Sequence, residues 1–257
     1  MPFLETVRNK NVDLTNRFFP PGQKGYIERF RELTGELAVN AKWLLHLGAG
    51  PTDLSSSLSL SPNGRKVVNL DLSFPEIRKN PGKLRICADA QDLPLASGSV
   101  DLICAEHVFE HFSHPTRVLQ ECFRILKGGG HLIVSGPNGA SYIAWAARLT
   151  PLQFHDRIHR LGRPSNDIVG DSFPVHYRFN RPRTMRRIAQ MIGFETMQIE
   201  TFVGAPCYTT FLPVIHLGFI GLHLLLGKVR PLLGCHITSV ALFRKPRTSG
   251  LGVRNPW

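Results

Sequence analysis

KWLLHLGAGPTDL, residues 42–54, decides the fold. Its first half is an apolar strand run, and Gly48-Ala49-Gly50 then turns the chain toward a helix. Glycines at such a turn let the backbone come close to a ligand, and the first N–H groups of the following helix lack partners within it. The next apolar run, KVVNLD at 66–71, closes on Asp71. A carboxylate at that strand end can accept both hydroxyls of a ribose, or it can simply cap the next helix. Pro51, Thr52 and Asp53 follow Gly50, so the third glycine of a dinucleotide fingerprint is missing. A ligand without a pyrophosphate has no need of it.

Outward from this stretch, apolar strand runs alternate with helical ones. Further strands are expected at 84–88, 100–105 and 130–135, with two more at 194–201 and 236–244 forming an antiparallel pair at one sheet edge. A helix is expected over 115–127, with Pro115 in its first turn, a stripe of Val118, Leu119, Cys122, Phe123 and Leu126, and Gly128-Gly129 behind it. The alternation is the signature of βαβ units and a parallel sheet. Four segments stand outside that plan: a helical leader at 1–40, insertions at 137–175 and 207–234, and a basic tail at 246–257, expected to be flexible.

With 257 residues the chain suits one large α/β domain. Lys and Arg outnumber Asp and Glu by 31 to 19, a formal charge of +12. That balance favours anionic partners without choosing among nucleic acid, membrane surface and phosphorylated substrate. Cys87, Cys104, Cys122, Cys207 and Cys235 show no metal spacing and read as buried thiols of a reducing compartment. The start, MPFLETVRNKNVDL, lacks the uninterrupted apolar stretch of a signal peptide, so a cytoplasmic protein is expected.

Four stretches in order carry a resemblance: LHLGAGPTDL (45–54), VVNLDLS (67–73), ADAQDLPLASGSVDLICAEHVFEH (88–111) and RILKGGGHLIVSGPN (124–138). This series resembles class I S-adenosylmethionine-dependent methyltransferases, above all the group that includes the ubiquinone-pathway O-methyltransferases. The likeness covers residues 40–138 closely and 176–201 more loosely. It implies a Rossmann-like α/β fold: a seven-stranded, mostly parallel sheet with helices on both faces and an antiparallel C-terminal strand. It implies S-adenosylmethionine as cofactor, with Gly48, Ala49 and Gly50 lining the methionine end. Asp71 would hold the ribose, Leu72 would pack beside the adenine, Asp89 and Ala90 would bracket the adenine edge, and Glu106 would sit near the methionine moiety.

The sequence points to an acceptor mostly by elimination. The Asn/Asp-Pro-Pro-Tyr/Phe motif of adenine amino methyltransferases is missing, and Ser135-Gly136-Pro137-Asn138 stands at the corresponding strand end. No cysteine sits in a carbon methyltransferase motif. A hydroxyl on a small, lipid-linked or membrane-associated acceptor is therefore favoured. An RNA 2′-O-methyltransferase and a non-catalytic methyltransferase-fold partner are the rivals.

The candidate catalytic residues are His107, Glu110, His111 and His176. At i, i+3 and i+4 the first three would share one face of an α-helix. They resemble the ExxEH helix and later His of the small-RNA 3′-terminal 2′-O-methyltransferases, which would make the four a divalent-metal set, although His107 replaces the first Glu. Without a metal, His107 or His176 would serve as general base; a purely structural role is the third reading. The run FLPVIHLGFIGLHLLL falls short of the ~20 residues that span a bilayer. It is either a lid on the domain's own core or a surface that dips into the inner face of the membrane, helped by Lys228 and Arg230.

Overall fold

The computed structural model describes residues 2–19, 25–54, 64–142, 144, 174–203, 212–228 and 236–247. Two helices come first, α1 (Pro2–Phe18) and α2 (Tyr26–Ala38), followed by β1 (Trp43–Leu47). Next are β2 (Lys66–Asp71), α3 (Phe74–Lys79), β3 (Leu84–Cys87), β4 (Val100–Glu106) and a 3-10 turn at Phe109–His111. Then follow α4 (Pro115–Ile125), β5 (Leu126–Pro137), α5 (Pro182–Ile192), β6 (Glu195–Phe202), α6 (Pro213–Lys228) and β7 (Thr238–Arg244).

The seven strands form one sheet in the order β3-β2-β1-β4-β5-β7-β6. β1 to β5 pair in parallel, and β7 enters antiparallel between β5 and β6. This is the Rossmann-like sheet expected from the sequence. The reversal of strand order at β1 and β4 opens a crevice at their carboxyl ends, where open α/β sheets bind ligands.

Each central strand is apolar on both sides because helices cover both faces. On one face α4 buries Val118, Leu119, Cys122 and Ile125, joined by Met185 and Ala189 of α5. On the other, Phe30 and Leu33 of α2 pack with Leu44, Leu102 and Ile133 of the sheet. α2 therefore belongs to the domain core, and the boundary drawn at residue 40 cuts through a packed layer. α4 stops at Ile125, two residues earlier than the sequence suggests. Leu126 is fully buried and already pairs with Val100 of β4, so strand pairing takes it from the helix. Cys104 and Cys122 are buried as expected, whereas Cys87 on edge strand β3 is exposed. Cys207 and Cys235 lie outside the described residues, as do most of the 137–175 insertion, both flanks of the 207–234 run and most of the 246–257 tail.

Candidate active site

β1 delivers Gly48-Ala49-Gly50 to the crevice. The Gly48 and Ala49 N–H groups both donate to the Leu70 carbonyl, at 2.8 and 3.0 Å, which curls the turn over the end of β2. Gly48 has a φ of +70° and Gly50 one of +50°, the left-handed region that glycine enters without steric cost. Gly48 also lies against the chain leaving β4: a Cβ on it would stand 2.7 Å from Cβ of Val108. A Cβ on Gly50 would meet only Asp71 Oδ2, at 4.0 Å, so no other described atom crowds that side of the turn.

Asp71 closes β2 half-buried. Its Oδ2 accepts the Gly50 N–H at 2.8 Å and its Oδ1 the Ser73 N–H at 2.8 Å. An ionised carboxylate has about four acceptor positions. One on each oxygen is thus left for the two vicinal hydroxyls of a ribose. Leu72 is 65% exposed beside it, an apolar surface on the rim of the crevice. After β3, the exposed Asp89 accepts the Gln91 N–H at 2.8 Å and Ala90 is buried. Glu106 ends β4 opposite Ser135 of β5. Gly48, Asp71, Asp89 and Glu106 thus stand at the carboxyl ends of four consecutive parallel strands.

Behind the turn lies a clamp that no motif announces. The Asn80 side chain, buried, donates to the carbonyls of Gly50 (2.9 Å) and Thr52 (2.7 Å), and its Oδ1 accepts the Gly82 N–H at 2.8 Å. Asn69 links Asp53 (3.0 Å) to His46 (3.3 Å) in the same layer. Burial drives the His46 imidazole below its ordinary pKa, against opposing hydrogen bonding from Asn69. Such long-range bonds leave no periodicity in a sequence.

The polar cluster after β4 departs from the helix that its spacing suggests. His107 has a φ of +51°, and only Phe109–His111 form a 3-10 turn. The α-helical face that would have gathered His107, Glu110 and His111 is therefore not made. His111 Nδ1 faces the Pro174 carbonyl at 3.1 Å. The His176 N–H donates to the Glu110 carbonyl at 2.7 Å, so His176 reaches this corner through its backbone while its side chain is exposed. Among the described residues no group of three His, Cys, Asp or Glu is placed to hold a metal. The four-residue metal set is corrected on that geometry.

The structure does assemble a smaller constellation. His107 Nδ1 stands 3.5 Å from Glu110 Oε1, and the exposed imidazole meets the Tyr26 ring of α2 edge-on, with centroids 5.2 Å apart. Glu110 is 4% exposed. Its Oε2, Ser135 Oγ and both side-chain polar atoms of Asn180 are buried with no hydrogen-bond partner. A Cβ on Gly136 would be 3.1 Å from both Glu110 Oε2 and Asn180 Nδ2, so glycine there keeps this polar nest open. Unpaired buried polar atoms cost on the order of 1–3 kcal/mol each, which a native fold retains chiefly where water or a ligand completes them. Burial pushes the Cys104 and Cys122 thiols up to about 12, so neither supplies a thiolate nucleophile.

The sheet order, the glycine turn and the acidic strand ends together form an arrangement with which α/β proteins can bind a nucleoside. Comparison with known proteins makes this specific. Residues 45–134 match the family described as Methyltransferase domain. The chain is 32% identical over 136 residues to malonyl-[acyl-carrier protein] O-methyltransferase of Legionella pneumophila, covering 49% of this chain and 48% of that one. It is 34% identical over 131 residues to demethylmenaquinone methyltransferase of Thermotoga maritima, covering 49% and 56%. In fold it is similar to an S-adenosylmethionine-dependent methyltransferase from Archaeoglobus fulgidus, with a TM-score of 0.51 at 18% identity over 86% of this chain and 98% of that one. The matched stretch, residues 45–134, is thus similar to class I S-adenosylmethionine-dependent methyltransferase domains, a likeness that points to S-adenosylmethionine as the cofactor. It spans about half the length of the curated relatives it matches.

Proposed function

We propose that the chain transfers a methyl group from S-adenosylmethionine to a hydroxyl on a small, lipid-linked acceptor. The observation that carries this reading is the His107–Glu110 pair, 3.5 Å apart, next to the Val108 against which the cofactor turn packs at Gly48. An acid–base pair and a nucleoside site thereby share one end of the sheet.

The residues present fit the cofactor. Asp71 has spare acceptor positions for the ribose hydroxyls, and the Gly48–Gly50 turn leaves room for the methionine end, with Glu106 beside it. When bound, S-adenosylmethionine supplies an electrophilic methyl group that needs an aligned nucleophile and little else from the protein. A hydroxyl becomes a competent nucleophile as its proton leaves. His107, exposed at the crevice, takes that proton, and Glu110 stabilises the imidazolium that forms. The left-handed backbone at His107 turns its side chain out of the line of β4. Tyr26 on α2 bounds the acceptor side through its ring contact with His107.

The names of the two relatives support the acceptor class: one is an O-methyltransferase, the other is named for demethylmenaquinone. The test is transfer of labelled methyl from S-adenosylmethionine to extracted hydroxylated lipids, with His107→Ala beside the wild type. The variant should lose ~100-fold or more in turnover, the ordinary contribution of a general base, while binding the cofactor unchanged. Wild-type turnover in the variant would exclude His107 as the base. Absence of label in the lipid extract would exclude the acceptor class.

A further inference from the structure

α6 carries two polar side chains on its protein-facing side: His216 and His223 are at most 1% exposed, beside Ile220 at 4% and Leu226 at 5%. Most of its remaining large apolar side chains face away: Val214 is 84% exposed, Ile215 50%, Leu217 54% and Leu225 52%. A helix on a water-soluble surface turns its polar side chains toward solvent instead.

The inward histidines are not accidental occupants. His216 Nε2 lies 2.7 Å from the Thr15 hydroxyl and 3.3 Å from the Asn11 carbonyl, both on α1. Thr15 already donates its proton to Asn11, at 2.8 Å, so His216 Nε2–H is the donor between them. His223 Nε2 is 2.5 Å from the Tyr142 hydroxyl, and His236 Nε2 is 3.1 Å from the Leu226 carbonyl. Polar bonds thus fix the rotation of α6 on the domain and hold Leu217, Leu222 and Leu225 outward. Gly218 and Gly221 share the outer side, and a Cβ on either meets no described atom within 4 Å.

We infer that the outer face of α6, with α1 beside it, is a docking surface for an anionic phospholipid bilayer. Length excludes a span: sixteen residues reach about 24 Å as a helix, against a hydrocarbon core of about 30 Å. No helix among the described residues is long and apolar enough to cross a membrane. Charge selects the occupant. α1 and α6 together carry Arg8, Lys10, Arg17 and Lys228 against Glu5 and Asp13, a net positive charge. An apolar helix face beside net positive charge matches a surface of anionic headgroups over acyl chains. A second copy of the same surface would offer leucines but would repel that charge. This inference goes beyond the methyl-transfer reading and does not depend on it, because vesicle binding is read without turnover.

The test is flotation of the full chain with vesicles of phosphatidylglycerol and phosphatidylcholine, and with phosphatidylcholine alone. The comparison protein carries V214S, I215S, L217S and L225S together; these side chains face outward, so the fold should survive, which circular dichroism checks. The wild type should float with anionic vesicles, release as salt is raised, and lose roughly tenfold or more of its partitioning in the variant. A wild type that stays at the bottom with both vesicles overturns the inference. So does a variant that floats like the wild type. A wild-type dimer in analytical ultracentrifugation that the variant abolishes, without vesicle binding, assigns the face to self-association and overturns it equally.

Discussion

Replacing Gly48 by Ala strains the site in two separable ways. The φ of +70° at Gly48 lies in the left-handed region, where a Cβ costs about 1–2 kcal/mol. The new methyl would also overlap Val108 Cγ2, standing 2.7 Å from its Cβ and 3.3 Å from Cγ1. Overfilling of this kind costs about 1–3 kcal/mol where the surroundings cannot yield. The total, about 2–5 kcal/mol, is a large part of the ~5–15 kcal/mol that holds a typical domain. Thermal melting should drop by on the order of 10 °C for a chain of this size, and cofactor affinity should fall because relief requires the 48–50 turn to move. Differential scanning calorimetry on wild type, Gly48→Ala, Val108→Gly and the double variant separates the two parts. Val108→Gly removes the contact but leaves the backbone strain, so the pair should show a favourable coupling of about 1 kcal/mol or more. A Gly48→Ala protein that melts within a degree or two of wild type and binds the cofactor equally well would refute the packing of this turn.

Asn80→Ala should act on the cofactor without touching it. Loss of the bonds to Gly50 and Thr52 strands two carbonyls and the Gly82 N–H, costing about 1–3 kcal/mol of stability and weakening S-adenosylhomocysteine binding in equilibrium titration; unchanged affinity would mean the turn holds itself. Acid should also destabilise the fold through histidine burial, which lowers His46 and His216 below their ordinary 6.5. A lowered folded-state pKa means that the unfolded chain takes up these protons first. The stabilisation is therefore complete above 6.5 and fades as pH falls through it toward the folded-state values. Melting curves should show this loss between neutral pH and pH 5, and His216→Gln should flatten the profile; the same slope in that variant would remove His216 from the account.

The parts of the fold that were legible are those in which one residue type repeats at a period. Leu44, Leu45 and Leu47, or Leu132, Ile133 and Val134, read as strands because helices bury both faces of the sheet. Asp71 is legible as a strand-end carboxylate because it closes the apolar run of β2. α2 reads as a leader in the sequence, since its apolar positions resemble those of any amphipathic helix and nothing local says that Phe30 and Leu33 meet the sheet. The His107–Glu110–His111 spacing misled because it presumes an α-helix. The left-handed backbone at His107 and the nearby Pro115 leave room only for a 3-10 turn. Partners such as Asn80 with Gly50, or Asn180 beside Glu110, depend on distant chain meeting in space. The composition of α6 showed an apolar segment, but its rotation is set by Thr15, Asn11 and Tyr142 on other elements. An apolar run alone cannot tell which of its apolar side chains turn outward.

Calorimetric titration of the purified chain and its Asp71→Ala variant with S-adenosylmethionine tests the central claim most directly. The wild type should bind one equivalent. The variant, still folded by circular dichroism, should bind roughly ten- to a hundredfold more weakly, the loss of charge-assisted bonds worth about 1.5–3 kcal/mol. A wild type that takes up no cofactor, or a variant that binds it as tightly as the wild type, would contradict the placement of the methyl donor at the carboxyl ends of β1 and β2.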